Sequence, residues 1–458
     1  MKRTLAAFAR ACGGRLNGPD ASFAAVSIDS RTLSPGDLFV AIRGERFDGH
    51  DFAAAAAGGG ACAVVVSRDV GVAVPRIVVD DTQAALSAAA AAWRAGFDLP
   101  LVGVGGSNGK TTTKELLAAV LRRAGPTLAT RGNLNNHLGV PLTLFRLGAS
   151  HRAAVVEMGA NHAGEIASLV AIARPTVGLV TNAGAEHLEG FGSLEGVARA
   201  EGEMFAGLDA SATAVLNADD AFAGLWREMN AGGRIVSFGT AAEADFRASA
   251  VECGIREGAW DTRFALDSPA GRTEARLALP GRHSVGNALG AAAAAWACGA
   301  TLDEIVDGLA EVQPVAGRMQ LKRAACGAFL IDDSYNANPS SVVAGLEVLK
   351  TLRGEPWLVL GEMAELGAQA VQSHAEIGRA ARRHGVTRLF ALGPTTPRAV
   401  EAFGEGGHWF PDADALVEAL EATLHAGVVL MVKGSRVNRL ERVVAALIEA
   451  PAAVANGN

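Results

Sequence analysis

Five cysteines are spread through 458 residues (Cys12, Cys62, Cys253, Cys298 and Cys326), and none forms a CxxC pair. An odd, dispersed set argues against a disulfide framework or a zinc ribbon and for free thiols in a reducing compartment. Long apolar runs are missing too. The longest, ALGAAAAAWACGA at 288–300, is alanine-rich and too short to span a bilayer. The N-terminal MKRTLAAFARACGGRL sets charges among its apolar residues, the pattern of an amphipathic helix and not of a signal peptide. A cytoplasmic protein without membrane insertion is expected. There is no excess of positive charge: the formal net charge is −7, which argues against nucleic acid as a main partner. Lysine is scarce, with only Lys2, Lys110, Lys114, Lys322, Lys350 and Lys433 among 41 basic residues, and tyrosine occurs once, at Tyr335.

What is present is the material of an α/β enzyme. Half of the residues are apolar, 19% are charged, and glycine and alanine are abundant. The length accommodates two or three domains, each able to bury a core. Strand-like runs near 37–42 and 63–66 alternate with helical alanine stretches in the first hundred residues. Pro100 then breaks a helix ending near Trp93. Strands are expected at 101–104, 153–157, 177–182 and 213–217 in a mostly parallel sheet, with a two-stranded antiparallel appendage within 245–279. Beyond Gln313–Gly317, strands at 328–333, 357–361, 388–392 and 428–432 read as a small doubly wound domain. The expected division is 1–98, 99–312 and 313–458.

Residues 103–112, GVGGSNGKTT, form a glycine-rich turn directly after the apolar run Leu101–Val104. Such a loop points backbone N–H groups at phosphate oxygens, and the helix it opens adds its positive dipole end. ATP is therefore expected at Gly105, Gly106, Ser107, Asn108, Gly109, Lys110, Thr111 and Thr112. Lys110 would reach the β- and γ-phosphates, and the Thr111 hydroxyl would ligate Mg²⁺. The usual eight-residue pattern has glycine where this chain has Val104. Nearby, a buried strand ends in the carboxylate Glu157, which suits Mg²⁺ or, more plainly, a salt bridge or cap. His187 follows in AGAEHLEGFGS as a candidate on the same sheet edge or a simple loop hydrogen-bonder. RGNLNNHLGVP packs Asn133, Asn135, Asn136 and His137 into a polar turn or a substrate-orienting loop. IDDSYNANPSS (331–341), LGEMAELG (360–367) and VKGSR (432–436) each open where a strand ends. The first reads as an Asx turn and a capped helix starting at Pro339. The last suits a carboxylate or phosphate.

Together these segments resemble the Mur ligases, ATP-dependent amide-bond-forming enzymes of peptidoglycan precursor synthesis. The resemblance runs nearly end to end: DSRTLSPGDLFVAIRGERFDGHDF (29–52), the short loop lacking its first glycine, GNLNNHLGVPLTL (132–144), EMGANHAGEI (157–166), TNAGAEHLEGFGS (181–193), LPGRHSVGNALGAAAA (279–294), DDSYNANPSS (332–341) and VKGSR. DDSYNANPSS and GEMAELG point to the branch that adds D-alanyl-D-alanine, and no DNPR tetrapeptide of the diamino-acid-adding branch is present. The resemblance implies three α/β domains: a small N-terminal one for a UDP-sugar substrate, a central ATP-binding parallel-sheet one, and a C-terminal Rossmann-like doubly wound one for the incoming dipeptide. It implies that Asp29, Ser30 and Arg31 hold the UDP substrate, and that Glu157 and His187 contribute to metal binding. Asn287 would touch adenine, and Arg318 and Asp333 would close over the phosphates and ribose. Asn135, Asn136, Asn336, Lys433 and Arg436 would face substrate. The reaction implied joins D-alanyl-D-alanine to UDP-N-acetylmuramoyl-tripeptide through an acyl phosphate, in a monomer with hinges at Pro100 and near Gly317.

One departure stands out. The family usually carries a carbamoylated lysine after the EHLEGFGS loop, and this chain has GVARAEGEMF, with Glu201 at that place. No lysine lies between Lys114 and Lys322, which rules the modification out in this stretch. Glu201 is expected to supply a carboxylate to the metal site directly, the alternative being a solvent-facing helix residue. Two rival readings remain at this point. A sister branch such as a folylpolyglutamate synthase would share the loop and Glu157 but not the UDP-sugar domain. A P-loop ATPase acting as a motor or regulator would carry an Asp-ended Walker-B strand and have no use for the third domain.

Overall fold

A computed structural model describes residues 3–185, 188–241 and 243–448. Its strands assemble into three sheets of five, nine and six strands. The expected N-terminal helix is Leu5–Ala11. Thr4 caps it by accepting from the Ala7 N–H, and Leu5, Phe8 and Ala9 make its buried face at helical spacing. Leu38–Val40 and Ala63–Val66, wholly buried, are inner strands of the first sheet, whose Arg15–Asn17 edge alone runs antiparallel. Among the described residues no helix is long and apolar enough to cross a membrane.

The central sheet runs, edge to edge, Gly271–Leu277, Ala259–Ser268, Phe246–Arg256, Arg234–Gly239, Thr213–Asn217, Val177–Val180, Leu101–Gly105, Ala153–Glu157 and Thr127–Ala129. The four strands read from the sequence are its middle. Thr127–Ala129 and Arg234–Gly239 were not anticipated, the first because three residues carry no periodic signal. The appendage expected to have two strands has three, and it is not separate: Phe246–Arg256 pairs in parallel with Arg234–Gly239 and then antiparallel with Ala259–Ser268. Its first hairpin turns on Glu257 and Gly258, both at positive φ (53° and 79°). That is a type I′ turn in which glutamate takes the place usually held by Asn or Asp, so the signal was weak.

The helices Lys110–Ala124 and Gly281–Ala297 pack together on one face of this sheet. Ala291–Ala295 are completely buried there, and their small side chains let the second helix lie close to the strands. The third sheet runs Gln320–Arg323, Phe329–Asp333, Val428–Lys433, Glu355–Gly361, Arg388–Leu392 and Gly407–Phe410, with only Gln320–Arg323 antiparallel. In both large sheets the motif residues stand at the carboxyl ends of the strands, where open α/β sheets bind ligands.

Candidate active site

A cavity of about 740 Å³ lies between the carboxyl ends of the central strands and the first helix of the C-terminal domain. The phosphate loop forms its floor. Gly106 (φ 113°) and Gly109 (φ 84°) take conformations that side chains resist, and neither has room for a Cβ. A Cβ on Gly106 would fall 2.1 Å from Thr181 Oγ1, and one on Gly109 would fall 2.2 Å from Asn287 Oδ1. The loop is tied down from outside. The Ser107 N–H donates to the Asn182 carbonyl at 2.9 Å, the Asn108 N–H to Asn182 Oδ1 at 3.0 Å, and Thr181 Oγ1 to the Asn108 carbonyl at 2.6 Å. The expectation that loop amides face phosphate therefore narrows to the helix's first turn. Lys110–Thr112 lines the cavity there, with N–H groups the helix ladder cannot use. The Lys110 ammonium donates to the Gly106 and Ser107 carbonyls, across the loop.

Glu157 is almost wholly buried at its strand end, on the cavity wall. Thr130 Oγ1 accepts its backbone N–H at 2.9 Å, and Asn135 Nδ2 donates to its Oε1 at 2.8 Å. Among the described residues its Oε2 has no hydrogen-bond partner. Leaving a carboxylate oxygen buried and unsatisfied is costly. Asn136, beside it, spends its Oδ1 on the Leu138 and Gly139 N–H groups and so shapes the turn into the following helix.

The opposite wall belongs to the C-terminal domain. Arg318 stacks 4.3 Å over the Tyr335 ring, and its Nη2 donates to Thr111 Oγ1 at 3.2 Å. Lys433, buried, bridges Asp333 Oδ2 at 2.6 Å and the Asn336 carbonyl at 3.0 Å. His283 also lines the cavity, and desolvation holds its pKa below the ordinary value despite the opposing pull of Asp333. Asn338 caps the Pro339–Thr351 helix and at the same time donates to Asn108 Oδ1. One cavity thus joins a nucleotide loop, a buried carboxylate and a second Rossmann-like sheet.

The chain is similar to known proteins in both sequence and fold. Three family descriptions match in order along the chain: "Mur ligase family, catalytic domain" over residues 22–94, "Mur ligase middle domain" over 104–295 and "Mur ligase, glutamate ligase domain" over 317–436. The UDP-N-acetylmuramoyl-tripeptide–D-alanyl-D-alanine ligase of Escherichia coli is 43% identical over 449 residues, 97% of this chain and 98% of that one. The chain belongs to the Mur ligase family. A crystal structure of MurF from Acinetobacter baumannii superposes with a TM-score of 0.92 at 34% identity, covering 97% of this chain and 98% of that one. MurF ligase from Thermotoga maritima in complex with ADP gives 0.82 at 28% identity, with 92% and 96% covered.

Of the residues this Mur ligase was expected to use, the cavity gathers Ser107 to Thr112, Asn135, Asn136, Glu157, Asn287, Arg318, Asp333, Asn336 and Lys433. Gly105 and Gly106 lie beneath it. His187 lies outside the described residues. Asp29, Ser30 and Arg31 are not on the cavity wall. They form a turn, half-buried at Asp29 and Ser30 and exposed at Arg31, in which Arg31 grips Asp29 through two side-chain bonds of 2.9 and 2.7 Å. Arg436 is exposed and pairs with Glu441 at 3.2 Å. Glu201 is neither solvent-facing nor on the cavity wall. It is 4% exposed, and its Oε2 accepts the Gly106 N–H at 2.6 Å from behind the loop. Residues that sequence reasoning did not single out are Thr130, His283, Asn338 and Ser340. His283, inside GRHSVGN, and Asn338 and Ser340, inside IDDSYNANPSS, sat in quoted motifs, and nothing local marks Thr130.

The Glu157 Oε2 fits a divalent cation, because a buried acceptor with no donor is satisfied by one. Among the described residues no group of three His, Cys, Asp or Glu converges on a point.

Proposed function

We propose that this chain is an ATP-dependent ligase that joins D-alanyl-D-alanine to UDP-N-acetylmuramoyl-tripeptide in peptidoglycan synthesis, through an acyl phosphate. The observation that carries the reading is the shared cavity. The phosphate loop and Glu157 face the C-terminal residues Asp333, Asn336 and Lys433 across one space. A motor or regulatory ATPase needs no such second wall.

The chemistry follows from the charges. A terminal carboxylate oxygen of the tripeptide attacks the γ-phosphorus and ADP leaves. The amine of the dipeptide then attacks the acyl carbon, phosphate leaves, and the amine gives up a proton. Both steps build negative charge beside the loop, where Lys110 and Arg318 carry fixed positive charge and the helix's first turn offers N–H donors. Thr111, Glu157 and His187 would hold Mg²⁺, with Glu201 supplying charge from behind the loop. The ion's contribution is to neutralise phosphate oxygens and align them. Asn135 fixes the Glu157 carboxylate so that one oxygen stays presented. Asn287 lies against Gly109 where the adenosine would run, and Asp333 is held by Lys433 on the side where the ribose would lie. The Asp29–Ser30–Arg31 turn grips the UDP end of the long substrate, away from the reacting carboxylate. The Asn336 and Lys433–Arg436 segment receives the dipeptide.

This reading includes Mg²⁺ dependence, a monomeric enzyme, a cytoplasmic location and the domain division 1–98, 99–312 and 313–458. The test is phosphate release from ATP with UDP-N-acetylmuramoyl-tripeptide, with and without D-alanyl-D-alanine. Sustained release is expected only with both. Release that ignores both substrates would favour the ATPase reading.

A further inference from the structure

Trp260 belongs to the Ala259–Ser268 strand of the central domain, yet its ring is buried in the core of the C-terminal domain with Met319, Ile331, Val342 and Leu346. Its indole N–H donates to the Met319 carbonyl at 2.7 Å. That carbonyl sits in a segment that needs holding. Met319 is left-handed, with φ 51°, and Gly317 two residues earlier has φ 69°. A long side chain in that region is strained relative to its ordinary conformation. The strain is held by contacts on every side. The Met319 N–H reaches Asp333 Oδ1 at 3.2 Å, the Arg318 N–H the Val315 carbonyl at 2.9 Å, and the Gly317 carbonyl accepts the Tyr335 N–H at 3.0 Å.

The residue between the two left-handed positions is Arg318, whose guanidinium stacks on Tyr335 and bonds the Thr111 hydroxyl of the phosphate loop. Of these bonds to the turn's backbone, the one from Trp260 comes from the central domain, which also carries Thr111. It therefore references the position of Arg318 to the loop that Arg318 touches.

We propose that Trp260 is a positioning residue of the nucleotide site, acting through the strained Gly317–Met319 turn to place Arg318 over the phosphate loop. The inference rests on the ATP-dependent reading of the cavity. It separates Trp260 from an ordinary core tryptophan, whose removal would lower stability without regard to Arg318.

The test is a double-mutant cycle with Trp260→Phe, which keeps an aromatic ring in the core while removing the donor and part of the indole's volume, and Arg318→Ala. Trp260→Phe alone is expected to lower kcat/KM for ATP roughly three- to tenfold, the range of one well-made hydrogen bond. In the Arg318→Ala background it should lower it no further. Equal losses in both backgrounds overturn the proposal, as does no loss in the wild-type background or no effect of Arg318→Ala. If Trp260→Phe does not fold, Gly317→Ala strains the same turn and is read in the same cycle. The dissociation constant of the Mg²⁺ complex of a non-hydrolysable ATP analogue, measured by calorimetry, gives a parallel readout. A wild-type enzyme that binds the analogue but releases no phosphate with the two substrates sinks the ligation reading alone, and the cycle is then decided on the dissociation constants.

Discussion

Asn338 donates from its Nδ2 to Asn108 Oδ1 at 2.8 Å across 230 residues of chain, so the residue that caps the first helix of the C-terminal sheet also touches the tip of the phosphate loop. Asn108 returns a bond from its own Nδ2 to Ser340 Oγ at 3.1 Å. The two residues should separate in their effects. Asn108→Ala is expected to lower kcat/KM for ATP roughly tenfold with little change in melting temperature. Asn338→Ala also loses a helix cap and should cost about 1 kcal/mol of stability. Kinetics and thermal melts on both variants check this, and equal melting shifts would contradict it.

Glu157→Gln removes the charge but keeps a group that Asn135 can still bond. Turnover is expected to fall by roughly two or more orders of magnitude, with a higher Mg²⁺ requirement. The metal-free protein should melt at or above the wild-type temperature, because an unsatisfied buried carboxylate oxygen is gone. Normal activity in this variant would remove Glu157 from the metal site.

Glu201 can act through its charge or through the bond to Gly106, and the amide separates the two. Glu201→Gln can still accept the Gly106 N–H, whereas Glu201→Ala leaves that N–H buried behind the loop. If the carboxylate serves the metal, both variants lose orders of magnitude in rate at saturating Mg²⁺. Near-normal turnover of Glu201→Gln would leave Glu201 as a loop anchor only. In either case activity is expected to be indifferent to removal of bicarbonate, since this stretch has no lysine to carbamoylate.

The Asp29–Arg31 pair has an acid signature. The hydrogen bonds from Arg31 draw the Asp29 carboxyl down from 3.8 to about 2. A depressed carboxyl favours the folded turn wherever it is ionised. The contribution is therefore whole above pH 3.8 and is lost as the pH falls through about 2. Carboxyl carbon shifts should show Asp29 titrating near the lower value in wild type and higher in Arg31→Ala, short of the upper value because the backbone N–H at position 31 still donates to Asp29 Oδ1. An unchanged midpoint in that variant would mean the pair does not persist in solution.

The chain's periodicities and punctuation already determine a great deal. The glycine loop after Leu101–Val104, the strand ending in Glu157, the Asn338–Pro339 helix start and the α/β alternation are all local signals, and each is found where the residues place it. They are legible because apolar runs, caps and left-handed glycines act on neighbours a few residues apart. What the tertiary structure decided lies at long separation. Glu201 reaches the loop from 95 residues away, Arg318 meets Thr111 across 207, and Trp260 leaves its own sheet for another domain's core. The three-stranded extension belongs with these, for its hairpin turns on an uncommon residue pair and its union with the central sheet rests on pairing with Arg234–Gly239. Such contacts depend on how three sheets are set against one another. No pattern along the chain encodes that setting, because it is fixed by the packing of whole faces rather than by any one segment.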